Sequence, residues 1–360
     1  MFFRLHLEKS GFLSFNLVLK CDIIKPMRLK VPIFSKNRVD RIKKILIIGL
    51  SSIGDNFLIS PAIKLIKEKC KDASIDIVVG PRSIVFVQGN PVFSKYYIWD
   101  KKTGIFHLKR ILGNNHYDLI IDFRNSPAPF FLKADYRMTF FIKELFSRKF
   151  TTHESVRVLK FLEPYFGRCE NVELYFPLKD EEILEYKKFF EKNGILDGSK
   201  VAMINPGAAF EKKRWGKDRF VEIGRYLISK YDLRVIVSGS SDEFNLADDI
   251  RRKINDNNCI NLAGKITFRQ FAYLLSKSAL LITNDTGTMH LGCAMKCPII
   301  AIFGPGNPLR YGPIGTKNIV LHTNRKCFPC RLEAKCDKNF ICMEEVTVEM
   351  VISAIEKLLN

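Results

Sequence analysis

Apolar residues in this chain gather in short solid runs, and the stretches between runs carry apolar positions at helical spacing. Residues 44–49 (KILIIG) form the first run, β-branched and closed by a glycine, which predicts a buried strand. Residues 56–69 follow with Phe57, Ile59, Ile63, Leu65 and Ile66 as candidate core positions of a helix. The runs 75–80 (IDIVVG) and 117–123 (YDLIIDF) predict two further strands. Solid runs alternating with helices predict a parallel sheet covered on both faces. From about 127 to 192 the pattern is less regular and rich in Phe, Lys and Glu, ending in a helix at 181–192 that would close the first half.

The rhythm then restarts. Strands are predicted at 200–205 (KVAMIN), 233–238 (LRVIVS), 259–263 (CINLA), 279–283 (ALLIT), 298–303 (PIIAIF) and 318–322, with helices between them such as 219–230 and 268–276. The fold class expected is therefore α/β, with two doubly wound, Rossmann-like halves joined near 190–198. Residues 1–40 carry no such rhythm and read as an N-terminal extension; residues 346–360 read as a C-terminal helix. Ligands of open α/β sheets sit beyond the carboxyl ends of the strands, so the loops there are where chemistry is sought.

Composition changes the picture in two ways. Lys and Arg number 58 against 38 Asp and Glu, a formal net charge of +20. Such an excess suits an anionic partner, whether nucleic acid, an anionic membrane surface or an acidic substrate, or it is background solubility. No run is long enough for a transmembrane helix, and the N-terminus is too interrupted for a signal segment, so a cytoplasmic protein is expected.

The loop after the first strand runs from Gly49 to Asn56 (GLSSIGDN). It lacks the lysine of a phosphate-cradling loop, and Ser51 breaks the dinucleotide fingerprint. What it does hold is Asp55, which either accepts a proton from a substrate hydroxyl or merely caps the helix as N-cap.

Three loops of the second half are candidate anion sites. Asn205 to Trp215 (NPGAAFEKKRW) offers small residues, Gly207 and Ala208, followed by Lys213 and Arg214, cations suited to a diphosphate; a solvated basic loop is the plainer alternative. Ser238 to Glu243 offers an acid after a strand, which could accept from ribose hydroxyls or cap a helix. Asn284 to His290 (NDTGTMH) is the most specific signal: Asp285 for sugar hydroxyls, the backbone of Thr286 to Thr288 opening a helix toward phosphate oxygens, and His290 on its first turn. No Asp-x-Asp motif stands in these loops, so no metal or other cofactor is expected in the active site.

The segments SSIGDNFLISPAI, INPGAAFEKKRWG, NLAGKITFRQFAYLL and LLITNDTGTMHLGCAMKCPIIAIFGPGNPLRYGP together resemble glycosyltransferase family 9, which includes the ADP-heptose:lipopolysaccharide heptosyltransferases. The resemblance spans about 43–355 and is weakest between 125 and 190. It implies a GT-B fold, two Rossmann-like domains facing a central cleft. Residues 41–192 would bind the acceptor and 193–345 the nucleotide-sugar donor. It implies inversion at the anomeric carbon without metal. Asp55 matches the family's general base, Lys213 the lysine on the donor phosphates, and Glu243 the acid near the adenosine ribose. Asp285, Thr286, Gly287 and His290 match the donor block, and His153 to Arg157 (HESVR) resembles a family segment of the acceptor side. The partners implied are a nucleotide diphosphate-sugar, ADP-heptose first, a lipid-linked saccharide acceptor and the anionic inner membrane surface, not nucleic acid. A family relative moving another sugar onto another surface glycan is the alternative. A nucleic-acid binder would leave the Asp-Thr-Gly-x-Met-His block unexplained, and an NAD-dependent sugar oxidoreductase or epimerase would need the missing glycine fingerprint.

Of the cysteines, Cys21, Cys70, Cys169, Cys259, Cys293 and Cys297 are scattered and read as buried thiols. Cys327, Cys330, Cys336 and Cys342 cluster with spacing C-x2-C-x5-C-x5-C. The first pair has ligand spacing, so a structural zinc site stands beside reduced thiols and two disulfides as a reading.

Overall fold

The computed structural model describes all residues except 1, 8–11, 19–26, 33–35, 140–151, 196–199, 316, 326, 328–329, 331–335 and 337–339, and describes 2–38 by backbone alone. Cys21 and the end of the link expected near 190–198 therefore lie outside the described residues. Three strands, β1 (Phe2–Leu7), β2 (Phe12–Val18) and β3 (Met27–Pro32), pair antiparallel in the extension, which the sequence pattern did not foretell.

The chain separates into two compact units: residues 1–149 with 155–170, and residues 150–154 with 171–360. In the first, β4 (Lys44–Ile48), β5 (Ser74–Val79), β6 (Lys95–Ile98), β7 (Tyr117–Asp122) and β8 (Ala134–Thr139) form one parallel sheet in the order β6-β5-β4-β7-β8. Its centre is the three solid runs, Ile45 to Ile48, Ile75 to Val79 and Leu119 to Ile121, nearly all sealed from solvent because helices cover both faces. The edge strands β6 and β8 are half exposed and mixed in polarity, which is why the pattern did not show them. Helix α1 (Ile53–Lys69) starts three residues before its expected position, and α2 (Gly104–Leu112) packs Leu108 and Leu112 into the core with Trp99 and Tyr117.

In the irregular middle of the chain, α3 (Glu154–Phe166) is followed by α4 (Asp180–Lys192). The second unit has six parallel strands, β9 (Val201–Asn205), β10 (Arg234–Val237), β11 (Cys259–Asn261), β12 (Leu280–Asn284), β13 (Ile299–Ile302) and β14 (Asn318–Leu321), in the order β11-β10-β9-β12-β13-β14. Helices α5 (Lys217–Tyr231), α6 (Phe244–Ile254), α7 (Phe268–Lys277), α8 (Gly287–Ala294) and α9 (Val348–Leu359) complete it. Helix α9 delivers Val351, Ala354 and Ile355 to the same core as α5, so the C-terminal helix belongs to this unit. Helix α4 also packs here, through Tyr186 against Tyr273 and Glu182 against the buried Arg269, whose Nε donates to Glu182 Oε1 at 2.6 Å.

Both sheets are doubly wound, and each has a switch point where strand order reverses: between β4 and β7 in the first, between β9 and β12 in the second. Loops leaving adjacent strands diverge there and open a crevice, the position at which such sheets bind ligands. No described helix is long and apolar enough to cross a membrane.

Candidate active site

At the second switch point the loop after β9 meets the loop after β12. Asn284, the last residue of β12 and fully buried, holds them together: its Nδ2 donates to the carbonyls of Pro206 (2.8 Å) and Gly207 (3.2 Å), and its Oδ1 accepts from the Trp215 backbone at 3.1 Å. Trp215 is itself sealed, its indole donating to the Val346 carbonyl at 2.6 Å and its ring edge-on to Phe220. Lys213, two residues before this anchor, therefore has a fixed base. Its Nζ lies 2.5 Å from Asp285 Oδ2, with side-chain exposures of 17% and 9%, so the pair is largely out of water.

Thr286 precedes α8 in an extended conformation, and its side chain caps none of that helix's first amides. Open amides and the helix dipole favour an anion, and the Lys213 ammonium stands beside Asp285 at the same end. His290 is buried on the first turn, and its Nδ1 has no hydrogen-bond partner among the described residues. Burial, with His153 and Lys213 nearby, pushes its pKa down to about 3, so the ring is neutral at physiological pH.

The other residues expected to bind the donor lie in the same unit. The Arg214 guanidinium turns back to donate to the Ala208 carbonyl, at 3.2 Å from Nε and 3.1 Å from Nη2, and so closes its own loop. Glu243 does cap: its Oε2 accepts from the Ser240 amide at 2.9 Å. It also lies against Gly207, where a Cβ would sit 1.9 Å from Glu243 Oε1, so glycine is required for this approach.

Residues 152–154 group with this second unit. His153 donates from Nε2 to the Gly312 carbonyl at 3.0 Å, and Glu154 accepts from Arg310 Nε at 3.3 Å. The start of the HESVR segment, which the resemblance placed in the first domain, is thus seated on the second unit, and His153 reaches the surroundings of His290. Neither Asn284 nor His153 was named as a site residue from the sequence; only their position inside recognised segments signalled them.

At the first switch point the loop after β4 carries Asp55. The helix N-cap is Ser52, not Asp55: Ser52 Oγ accepts from the Asp55 amide (3.2 Å) and donates to Asp55 Oδ2 (2.6 Å). Asp55 is thus a half-exposed carboxylate on the first turn of α1, oriented by a hydroxyl. Asn56 is buried and stitches the loop, its Nδ2 donating to Leu50 O, Ser52 O and Ser83 Oγ, each at 2.9 Å.

From the neighbouring β7 come Asp122 and Arg124, both missed by the sequence reading. Asp122 is sealed, and burial raises its pKa to about 6 despite four hydrogen bonds from Arg124, Ser126 and Thr139. Arg124 stacks on Trp99, 4.9 Å from the ring centre, and donates from Nε to the Gly49 carbonyl at 3.0 Å. Its Nη1 and Nη2 are buried without a hydrogen-bond partner among the described residues.

A doubly wound second sheet with a basic, open-ended helix at its switch point is what the quoted motifs led one to expect, and comparison with known proteins agrees. The model of glycosyltransferase family 9 (heptosyltransferase) matches residues 105–340. The chain belongs to glycosyltransferase family 9. It is similar to a lipooligosaccharide heptosyltransferase 2 of Campylobacter jejuni, 29% identical over 320 residues, which are 86% of this chain and 96% of that protein. Lipopolysaccharide heptosyltransferase 3 of Escherichia coli K12 is 25% identical over 332 residues, 85% of this chain and 95% of that one. Among solved structures, the family 9 glycosyltransferase of Veillonella parvula superposes with a TM-score of 0.71 at 23% identity, covering 88% of this chain and 97% of that one. The E. coli ADP-heptose lipopolysaccharide heptosyltransferase II gives 0.70 at 19% identity, covering 88% and 98%. The protein is a glycosyltransferase, and its two parallel sheets are the α/β pair of the GT-B class.

Proposed function

We propose that this glycosyltransferase moves heptose from ADP-heptose onto a lipopolysaccharide core, with inversion and without a metal at the reacting centre. The observation that carries the reading is the Lys213–Asp285 pair at the uncapped start of α8, a cation and a set of amides placed for a diphosphate. The relatives above are named as lipooligosaccharide and lipopolysaccharide heptosyltransferases, which supports the sugar and the acceptor class.

Asp55 takes the proton of an acceptor hydroxyl as its oxygen attacks the anomeric carbon opposite the diphosphate. Ser52, bonded to Asp55 Oδ2, orients the base. As the sugar–phosphate bond breaks, negative charge grows on the diphosphate, and Lys213 with the amides of Thr286, Gly287 and Thr288 stabilises it. Neutral His290 can donate a hydrogen bond there without adding charge. Asp285 holds Lys213 in place and offers its second oxygen to sugar hydroxyls, and Glu243 faces the ribose. A net charge of +20 suits phosphorylated, acidic acceptors at the inner face of an anionic membrane, where the protein works as a peripheral cytoplasmic enzyme. On α2, Phe106 is 83% exposed and is followed by His107, Lys109 and Arg110, a side chain suited to enter such a surface.

The test is incubation with labelled ADP-heptose, UDP- and GDP-sugars and a panel of core saccharides of defined length. Transfer of heptose to one inner-core acceptor is expected. Transfer of a different sugar, with none of heptose, would replace this reading by that of a relative acting on another surface glycan.

A further inference from the structure

Helix α2 turns one side to the core of the first unit and the opposite side to solvent. Leu108 and Leu112 are buried four residues apart on one face, where they pack with Trp99 and Tyr117. Phe106 comes two residues before Leu108, on the opposite face. It is 83% exposed, more than any other large apolar side chain among the described residues. Lys109 and Arg110 follow it by three and four residues, so they stand beside it on that outer face, and both are exposed. Lys101 and Lys102 are exposed on the turn that leads into the helix. From 100 to 112 the one acid is Asp100, whose Oδ1 accepts from the Lys102 amide at 3.0 Å.

An exposed phenylalanine by itself is ordinary, and cations in a last turn complement the helix dipole. A solvated helix would gain from Lys109 and Arg110 but not from Phe106, whose ring stands in water with Ile105 and Ile111 only part-buried. The mount is rigid. Leu108 and Leu112 fix its inner side, Gly113 (φ 61°) closes it with an amide on the Lys109 and Arg110 carbonyls, and the Trp99 indole donates to the Gly104 carbonyl at 3.1 Å. A ring held between cations fits a surface that is anionic outside and apolar just beneath, as a bilayer of acidic lipids is. An acidic protein segment would use the cations and leave Phe106 in water.

Trp99 ties this helix to the candidate site of the same unit. The Arg124 guanidinium stacks on its ring, and Arg124 Nε donates to the Gly49 carbonyl. The start of α2, the loop after β7 and the loop after β4 are thus joined at the carboxyl end of one parallel sheet. We infer that the outer face of α2, with Phe106 at its centre, docks the first unit onto an anionic lipid surface. Phe106 enters below the headgroups, and Lys101, Lys102, Lys109 and Arg110 hold the headgroup charge around it. Docked in this way, the sheet end that carries Asp55 and Arg124 stands beside the lipid, and the acceptor is taken from the bilayer. This rests on the peripheral, lipid-linked reading above and adds the surface that meets the membrane.

The experiment is co-sedimentation of the full chain with vesicles of phosphatidylcholine, alone or mixed with phosphatidylglycerol, without donor or acceptor. Binding to the mixed vesicles is expected, weakening as salt rises. Phe106→Ser and the Lys109→Glu/Arg110→Glu variant should each weaken it about tenfold or more, with the melting profile and transfer to a water-soluble acceptor fragment unchanged. Phe106→Trp should add fluorescence that brominated lipids quench. Undiminished sedimentation of either variant overturns the proposal, as does binding to neutral vesicles as strong as to the mixed ones. A wild type that does not sediment with the mixed vesicles also overturns it, and dimers broken by Phe106→Ser would then make the face a contact between copies. Sedimentation needs no sugar transfer, so its failure leaves the transfer reading standing, and a different donor sugar leaves the docking result standing.

Discussion

Lys213 Nζ and Asp285 Oδ2 stand 2.5 Å apart, joining the loops that leave β9 and β12. The pair couples the proposed phosphate cation to the residue just before the N-cap of α8, so loss of either partner disturbs the other. Lys213→Ala should lower kcat/KM by about a hundredfold to a thousandfold, the scale of one lost charge-stabilising group. It should also weaken ADP binding, read by calorimetry. Unchanged ADP affinity in that variant would remove Lys213 from the donor site.

Asp55 is half exposed, bonded to Ser52 and held on a stitched loop, which suits a base rather than a structural cap. Asp55→Ala should cost about 10² to 10⁴ in turnover, the usual range for a general base, with ADP affinity nearly unchanged. Ser52→Ala should cost less turnover and about 1 kcal/mol of stability, the scale of a lost N-cap. Equal loss of turnover and ADP binding in Asp55→Ala would make the residue structural.

The parts of the fold that were legible are those that bury both faces. β4, β5, β7, β9, β10, β12 and β13 appear as solid apolar runs because a parallel sheet between helix layers admits little else, while the edge strands β11 and β14 were found from shorter apolar runs although they are less buried. β6 (KYYI) and β8 (ADYRMT) lie on sheet edges, where side chains alternate between solvent and core, and no run marks them. The donor loops were legible because a glycine, a cation and an acid in fixed order leave few alternatives. Arg124 and His153 were not, since each acts through the fold: one by stacking on Trp99, the other by its bond to Gly312. Asn284 lay within a recognised motif, but its task of bonding Pro206, Gly207 and Trp215 shows only once the two loops are side by side.

Gly207 offers a sharper test of the donor loop than a charge change does. A methyl at this position would overlap the Glu243 carboxylate, so Gly207→Ala must push Glu243 away from Ser240 and from the proposed ribose position. The strands beneath are untouched. The expected result is a normal melting profile with ADP binding weakened about tenfold. Wild-type affinity would place the adenosine elsewhere.

His290 should leave its mark on the pH dependence of stability. Its pKa falls from 6.5 in the unfolded chain to about 3 in the fold, mainly through burial, with His153 and Lys213 adding to it. Between those values the unfolded chain binds a proton that the native chain refuses. Stability from this group is therefore complete above about pH 6.5 and drains away as pH falls toward 3. Thermal melts of ligand-free protein at pH 4.5 to 8 should show the slope, and it should be shallower in His290→Gln. Identical slopes in the two proteins would mean that His290 titrates normally.

Arg124 makes the last prediction, on the first unit. Its Nε is fixed on the Gly49 carbonyl and its plane on Trp99, while Nη1 and Nη2 are buried at the switch point with no bond among the described residues. Desolvation lowers its pKa, yet a guanidinium stays charged, and a buried charge of this kind is stabilised when an anion takes both ends of the fork. Asp122 and Asp100 already offset part of this charge, and a carboxylate or phosphate of the proposed acceptor would take the open ends of the fork. Arg124→Lys keeps the charge but loses the fork and the stacking. It should raise the KM for acceptor about tenfold or more while leaving that for the nucleotide-sugar unchanged. A variant whose acceptor KM stays at the wild-type value, with lowered thermal stability alone, would make Arg124 a structural partner of Trp99 and Gly49.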